Sequence, residues 1–324
     1  KNITKTWKDA DKTLRLDFLN NQGSKKNFFK KKLSKEILSE TNDLTKATQI
    51  YNFVRNHYTW NKINWVSSNV SVKESFNKRN GSVAEINLCL YNSLKAAKIE
   101  SYITLISTRE NGIPTKLFLA ISDFNYLIIK VVVNRKEYFL DARPFGQIPF
   151  KCLNGEARVF DFKKGSYWQD INKARRVERR IMYNISFDNE EYITTKVTLT
   201  NGRYFANEIR VNYFESEEET YISEKESQGK NFEIKDYKIS NPKTFEKPLG
   251  ETFSMIGDNS FKDQTNIKLF PAIFPTIKSN PFNLNDRLFP VDYGYQRFIT
   301  QRINIAVQKA ISDQPSQRHR SKTT

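Results

Sequence analysis

The stretch Asn80-Gly81-Ser82-Val83-Ala84-Glu85-Ile86-Asn87-Leu88 decides the fold of the first half of the chain. A glycine precedes a segment whose apolar residues recur at the three- and four-residue steps of a helix. One stripe consists of Val83, Ile86, Leu90, Leu94 and Ala97, and Leu88 and Tyr91 add apolar surface on another side. A helix that is apolar on most sides is usually buried in the middle of a domain. The sequence therefore predicts a central, buried helix over residues 82–98.

The segments around this helix indicate the fold class. Residues 34–60 also show helical spacing, whereas strand-type runs follow at 101–108, 124–133 and 137–140. Because helices come first and strands follow, the pattern predicts a segregated α+β domain and not an alternating βαβ unit.

The chain after Trp168 predicts strands only. Its β-type runs are residues 180–187, 192–199, 204–214 and 232–239. Asn201-Gly202 lies between two of these runs and is a strong signal for a two-residue hairpin. Since no long helical stripe interrupts them, the second half is predicted to be an all-β sandwich.

Composition limits the partners and cofactors. The 324 residues include 53 Lys and Arg against 36 Asp and Glu, a formal net charge of +17. No groove-reading helix, zinc finger or aromatic RNA-binding motif accompanies the basic runs, so nucleic acid is not an expected partner. A binder of anionic polymers, driven by the Lys-rich N-terminal segment, is a weaker alternative that predicts strong salt dependence.

Other site types lack the residues that they need. No run of 18 apolar residues exists, so no membrane span is predicted. Only two Cys and two His are present, too few for a disulfide framework, a four-thiolate zinc site or a His-rich metal site. We therefore expect no metal and no cofactor.

The order of the motifs resembles the core of the transglutaminase-like superfamily, which has a papain-like fold. The resemblance rests on residues 80–88, on Phe124-Asn125-Tyr126-Leu127-Ile128 and on Tyr138-Phe139-Leu140-Asp141-Ala142. Supporting stretches are residues 107–112, 152–155, 280–282 and 290–294. The pattern is most similar to a bacterial extracytoplasmic subgroup in which β-rich domains flank the core, and it covers most of residues 30–300.

This resemblance implies a catalytic triad of Cys, His and Asp in active relatives. The Cys lies at the N-terminus of the central helix, where the helix dipole stabilises the thiolate, and the His and Asp lie on the following strands. In this sequence the Cys position falls on Val83, the His position on Tyr126 and the Asp position on Asp141. Two of the three groups are missing, so we predict a catalytically inactive protein that acts as a binding or scaffold module for a peptide, glycan or protein.

The predicted binding residues lie around this degenerate triad. They are Trp60, Trp65, Ser82, Arg109, Tyr126 and Asp141. A purely structural role is the competing interpretation for each of them, because aromatic residues mostly pack and Asp141 can pair with its neighbour Arg143.

The alternative function is that of a divergent cysteine-type peptidase or acyl transferase. It would have to use Cys89, Cys152 or Ser82 in place of the missing nucleophile. Cys89 lies about 9 Å along the helix from Val83, and a free cysteine in an apolar helix usually belongs to the core. This hypothesis predicts Cys89 or Ser82 at a cleft surface.

Four segments are predicted along the chain. Residues 1–30 form a connector or the remnant of a preceding β-rich domain, 31–172 the transglutaminase-like core, 173–311 the β-sandwich, and 312–324 a disordered tail without apolar residues. The resemblance alone implies a periplasmic or cell-surface location.

Overall fold

A computed structural model describes most of the chain between residues 21 and 306. The described residues are 21–64, 70–108, 111, 112, 114, 123–144, 152–171, 177–187, 192–227, 232–244, 247–258 and 296–306, with residues 9 and 12. The chain divides into two compact units, Lys1–Arg176 with Phe289–Gln296, and Val177–Leu288 with Arg297–Thr324. The predicted disordered tail at 312–324 and most of the predicted connector before residue 21 lie outside the described residues.

The first unit is a mixed α+β structure in which the helices precede the strands of the five-stranded sheet, as predicted. After a 3-10 turn at Gln22–Ser24, its helices are α1 (Lys26–Lys30), α2 (Lys35–Ser39), α3 (Asp43–His57), α4 (Val72–Lys78) and α5 (Val83–Ala96). Its strands are β1 (Thr59–Trp60), β2 (Asn80–Gly81), β3 (Glu100–Thr108), β4 (Tyr126–Val133), β5 (Lys136–Leu140), β6 (Cys152–Asp161) and β7 (Gly165–Asp170).

Helix α5 is the buried centre of this unit. Eleven of its 14 residues are buried, which matches its nearly continuous apolar sequence. Its first turn is closed by a capping box, because Ser82 Oγ accepts from Glu85 N at 3.3 Å while Ser82 N donates to Glu85 Oε2 at 2.9 Å. The helix ends at Ala96, and Ile99 N donates back to Leu94 O at 2.9 Å before β3 begins.

A five-stranded sheet in the order β5-β4-β3-β6-β7 packs against α5. All four strand pairs are antiparallel. In a flat sheet the outer strands β5 and β7 would lie about 19 Å apart. Here Gln169 of β7 donates directly to Glu137 of β5, and Lys130 Nζ of β4 donates to Glu137 Oε1 at 2.6 Å and to Gln169 Oε1 at 2.7 Å. The sheet is therefore strongly curled.

The second unit contains a second five-stranded sheet and two helices. Its elements are β8 (Val177–Phe187), β9 (Tyr192–Asn201), α6 (Arg203–Glu215), α7 (Glu218–Glu226), β10 (Phe232–Ser240), β11 (Leu249–Asp258) and β12 (Arg297–Ala306). The strand order is β10-β11-β9-β8-β12, and β12 runs parallel to β8 while the other pairs are antiparallel. Tyr183, Val197 and Phe253 lie at the centre of its core.

The prediction of an all-β second half is wrong. Residues 204–214, expected to form a strand, belong to helix α6, and the described part of this unit holds one sheet with two helices where two packed sheets were expected. The helix forms because Phe205, Ala206, Ile209 and Arg210 are buried at helical spacing. Gly202 is the N-cap of α6 and not a hairpin residue, and a Cβ there would come to 3.0 Å of the Glu178 carbonyl oxygen.

Candidate functional site at the start of helix α5

Val83 is the first residue of α5 and is completely buried. Its backbone N donates to the Ile63 carbonyl at 3.0 Å. Its packing partners are the buried residues Ile106, Tyr126, Ile128, Ala157 and Ile171, with the partly buried Trp60 and Phe139. The position that corresponds to the nucleophile of active relatives is therefore filled by an apolar side chain in an apolar cluster.

Tyr126 and Asp141 form a buried hydrogen-bonded pair beside Val83. The Tyr126 hydroxyl donates to Asp141 Oδ2 at 2.6 Å, and Asp141 is only 2% exposed. Tyr126 is the first residue of β4, and Asp141 directly follows β5, the neighbouring strand. Because the two strands are antiparallel neighbours, these two side chains meet although 15 positions separate them.

Asn87 ties this pair to α5. Its Nδ2 donates to Asp141 Oδ1 and to the Leu127 carbonyl, both at 2.9 Å, and its Oδ1 accepts from Ala142 N at 2.8 Å. Asn87 is fully buried one helical turn after Val83. Because this buried asparagine makes all three hydrogen bonds, it fixes the helix against β4 and the end of β5.

Arg143 and Trp60 lie next to Asp141. The Arg143 backbone N donates to Asp141 Oδ1 at 3.0 Å, and the guanidinium lies over the Trp60 ring, 4.5 Å from its centroid. Trp60 Nε1 donates to the Ile63 carbonyl at 3.2 Å, which holds the indole beside the start of α5. The site thus combines a buried carboxylate, a phenol, an indole and a guanidinium.

Two of the three candidate replacement nucleophiles, Ser82 and Cys89, do not face a reaction site. Ser82 is the N-cap of α5 and its hydroxyl donates to Glu85 Oε2 at 3.1 Å. Cys89 is completely buried, and desolvation raises the pKa of its thiol to about 12. Both side chains serve the helix and its packing, and neither is activated as a nucleophile.

Several predicted site residues meet at one place in the structure. Val83, Tyr126 and Trp60 share one cluster, and Asp141 is bonded to Tyr126. Trp65 and Arg109 lie outside the described residues, and so does the side chain of Cys152.

Sequence reasoning missed Asn87 as a site residue and gave Arg143 no role beyond pairing with Asp141. A polar residue inside an otherwise apolar helical stripe was the available signal for Asn87. For Arg143 the signal was its position two residues after the aspartate.

His57 lies outside this cluster and has a packing role. The His57 ring stacks on Phe76, with centroids 3.9 Å apart, and its Nε2 lies 2.7 Å from the Phe76 carbonyl, so it serves packing between α3 and α4.

Within the described ranges, no group of three His, Cys, Asp or Glu side chains is placed to hold a metal ion. In the same ranges no helix has the length and apolar character that crossing a membrane requires.

Comparisons with known proteins give little further information. No family model matches the sequence, and no curated protein matches it. The chain is similar to the crystal structure of a putative protease from Parabacteroides distasonis, with a TM-score of 0.44 and 14% identity over 79% of this chain and 53% of the other. It thus spans about half the length of that protein. A similarity of this size does not establish a shared fold, so the transglutaminase-like and papain-like assignments stay predictions.

Proposed function

We propose that the first unit is a catalytically inactive relative of the transglutaminase-like core, which acts as a binding or scaffold module for a peptide, glycan or protein partner. The observation that carries the proposal is the occupancy of the triad positions. A buried valine stands where the nucleophile is expected, and Tyr126 stands where the base is expected, with its hydroxyl bonded to Asp141.

The chemistry of acyl transfer explains why these two replacements matter. A cysteine nucleophile needs a thiolate and a base that takes and returns a proton near neutral pH. The Val83 side chain offers no atom that can attack a carbonyl. The Tyr126 hydroxyl already donates to a carboxylate, and a phenol lacks the neutral-pH basicity of an imidazole.

The backbone at the start of α5 supports the same conclusion. A backbone N–H beside the nucleophile commonly stabilises the negative oxygen that develops in acyl transfer. The N–H of Val83 is already bonded to the Ile63 carbonyl at 3.0 Å. A substrate carbonyl would therefore have to displace an internal hydrogen bond before it could use this donor.

The alternative, a divergent cysteine-type peptidase or acyl transferase, finds no support at Cys89 or Ser82. The thiol of Cys89 is buried and its pKa is raised, which disfavours the thiolate. The hydroxyl of Ser82 is part of the capping box. The compartment, periplasm or cell surface, is a proposal that rests on the resemblance alone.

Labelling with a thiol-reactive probe tests the inactive core. Purified protein is incubated with iodoacetamide, with and without an amine donor and a peptide substrate, and the labelled cysteine is identified by mass spectrometry. We expect no labelling of folded Cys89 and no turnover. Rapid labelling of Cys89 or Cys152 together with turnover would overturn the proposal.

A reconstituted site provides the positive control. In a Cys152→Ser background, Val83→Cys combined with Tyr126→His places a thiol at the helix start and an imidazole beside Asp141. Because position 83 is completely buried, the thiolate is followed by its ultraviolet absorbance, and we expect the pKa of the thiol at position 83 to be lower in this variant than in Val83→Cys alone. Equal pKa values in the two variants would show that position 126 does not face position 83 as the base position requires.

A further inference from the structure

Within the described residues, the Arg143 side chain is largely buried and its Nε makes no hydrogen bond. Arg143 is 7% exposed, and its Nε is buried with no hydrogen-bond partner. Asp141 Oδ2 is 3.9 Å from Nε, beyond hydrogen-bonding distance. Among the described residues, the only contact to the face of the guanidinium is the Trp60 ring at 4.5 Å. The Asp141 carboxylate compensates part of this buried charge as an ion pair, but the N–H of Nε has no hydrogen-bond acceptor, and a buried donor without a partner calls for an explanation.

Arg158 and Arg210, which are also buried in the part of the chain that the structure describes, behave differently. Arg158 also lies over an indole, with its guanidinium 5.5 Å from the Trp168 centroid, but its Nη2 donates to Ser166 O and Oγ at 3.0 and 2.6 Å. Arg210 is fully buried and donates to four backbone carbonyls. Of the arginines that are buried in the described ranges, Arg158 and Arg210 thus have hydrogen-bond acceptors for their guanidinium groups.

Stacking on an indole leaves the donors of a guanidinium available. The five N–H groups lie in the guanidinium plane, and the ring occupies only one face of it. Trp60 is itself fixed by the hydrogen bond from Nε1 to the Ile63 carbonyl at 3.2 Å. The planar guanidinium of Arg143 is thus held in one orientation while its N–H donors stay available. A guanidinium in this arrangement binds planar anions through paired hydrogen bonds.

We propose that Arg143 and Trp60 form a binding site for a carboxylate group of the ligand. This inference rests on the proposed function and names the chemical group of the ligand that the degenerate site would bind. A carboxylate fits the fork with two parallel hydrogen bonds. Asp141 lies 3.9 Å from Arg143 Nε, and its negative charge repels a phosphate dianion more than it repels a singly charged carboxylate. A singly charged, planar anion therefore satisfies the site best.

Calorimetric titration of the full chain tests the site with defined probes. N-acetyl-alanyl-alanine carries a free peptide carboxylate, and its C-terminal amide is the neutral control. Glucuronic acid carries a carboxylate on a sugar, with glucose as its control, and inorganic phosphate tests the dianion. We expect at least one carboxylate probe to bind, its neutral control not to bind, and phosphate to bind more weakly. The two carboxylate probes distinguish a peptide source from a saccharide source.

Variants assign the binding to Arg143. Arg143→Gln removes the charge and the fork, and Arg143→Lys keeps the charge without the fork, so both are expected to weaken carboxylate binding by about tenfold or more. Arg158→Gln removes the other arginine that stacks on an indole and is expected to leave this binding unchanged. Binding that persists in Arg143→Gln, or phosphate binding that exceeds every carboxylate, would overturn the proposal.

A measurement on the unmodified chain covers the case in which these variants do not fold. Phenylglyoxal modifies arginine, and peptide mapping follows Arg143 and the exposed Arg180, whose side chain is 67% exposed. A bound carboxylate should slow modification of Arg143 and leave Arg180 unaffected. If no carboxylate probe binds or protects Arg143 at millimolar concentration, the carboxylate site is wrong, although an unlabelled Cys89 without turnover would still support the inactive core.

Discussion

Removing the hydroxyl of Tyr126 tests the bond at the centre of the site. In Tyr126→Phe the ring stays and the donor to Asp141 Oδ2, at 2.6 Å, is lost. Asp141 is 2% exposed, so water does not replace the missing donor easily. Arg143 Nε lies 3.9 Å from Oδ2, which is too far for it to replace the lost hydrogen bond.

The magnitude follows from the charge and burial of the acceptor. A hydrogen bond to a charged group contributes about 1.5–3 kcal/mol to stability, and a buried acceptor left without its donor lies toward the upper end. We therefore expect Tyr126→Phe to lower the free energy of unfolding of the first unit by about 2–3 kcal/mol. With a urea dependence of about 2 kcal/mol per molar, the unfolding midpoint falls by about 1–1.5 M.

Urea unfolding followed by far-UV circular dichroism measures this change, with Tyr102→Phe as the matched control. The Tyr102 hydroxyl donates to Glu100 Oε1 at 2.5 Å at an exposed position of β3, so its loss should cost less than about 1 kcal/mol. Equal effects of the two substitutions, or a change below about 0.5 kcal/mol for Tyr126→Phe, would refute the argument that burial strengthens the pair.

Three further predictions concern the two cores. Asn87→Ala removes three buried hydrogen bonds and should cost about 3–5 kcal/mol in urea unfolding, whereas the exposed Asn80→Ala should cost almost nothing; similar costs would contradict the role of Asn87. Because burial raises the pKa of Cys89 to about 12, the folded thiol keeps its proton while the unfolded thiol ionises above about pH 8.5. The stabilising contribution is complete below that pH and falls by up to about 1.4 kcal/mol per pH unit above it, and Cys89→Ser should lose this slope; an unchanged slope in that variant would refute the assignment. Arg210→Met leaves the carbonyls of residues 241, 242, 244 and 247 without their donor and should lower the stability of the second unit by more than about 3 kcal/mol, which a scan of its thermal unfolding would show or exclude.

The sequence predicted α5 and strands β3, β4 and β5 of the first unit, whose apolar patterns are strong, but it predicted neither α4 nor β6 and β7. Helix α5 is apolar on most sides, and it lies in the core where such a helix must lie. Strands β4 and β5 also follow directly from their apolar runs and the turn between them. The curling of the sheet could not be predicted, because it depends on Lys130, Glu137 and Gln169 meeting across strands that are distant in sequence.

In the second unit the local sequence pattern predicted the wrong secondary structure for residues 204–214. Residues 204–214 are rich in aromatic and β-branched residues, which favour strands. Tertiary packing favours a helix there, since it buries Phe205, Ile209 and Arg210 on one side and gives the guanidinium its carbonyl partners. The Asn201-Gly202 pair is a hairpin signal in isolation, but here Gly202 begins a helix.

The site residues that sequence analysis named are those that the resemblance to a family marks. The residues that it missed are those whose role depends on packing in three dimensions. Tyr126 and Asp141 follow from the resemblance, and the structure places them in contact. Asn87 and the free donors of Arg143 depend on three-dimensional neighbours, so no local pattern identifies their roles.

Amide turnover by the unmodified chain tests the central claim most directly. Release of the amine from an excess of peptide amide substrate is followed for the wild-type protein and for a variant that combines Ser82→Ala, Cys89→Ala and Cys152→Ala. We predict that both proteins release amine only at the uncatalysed background rate. A wild-type rate above the background that disappears in the variant would contradict the claim that the core is inactive.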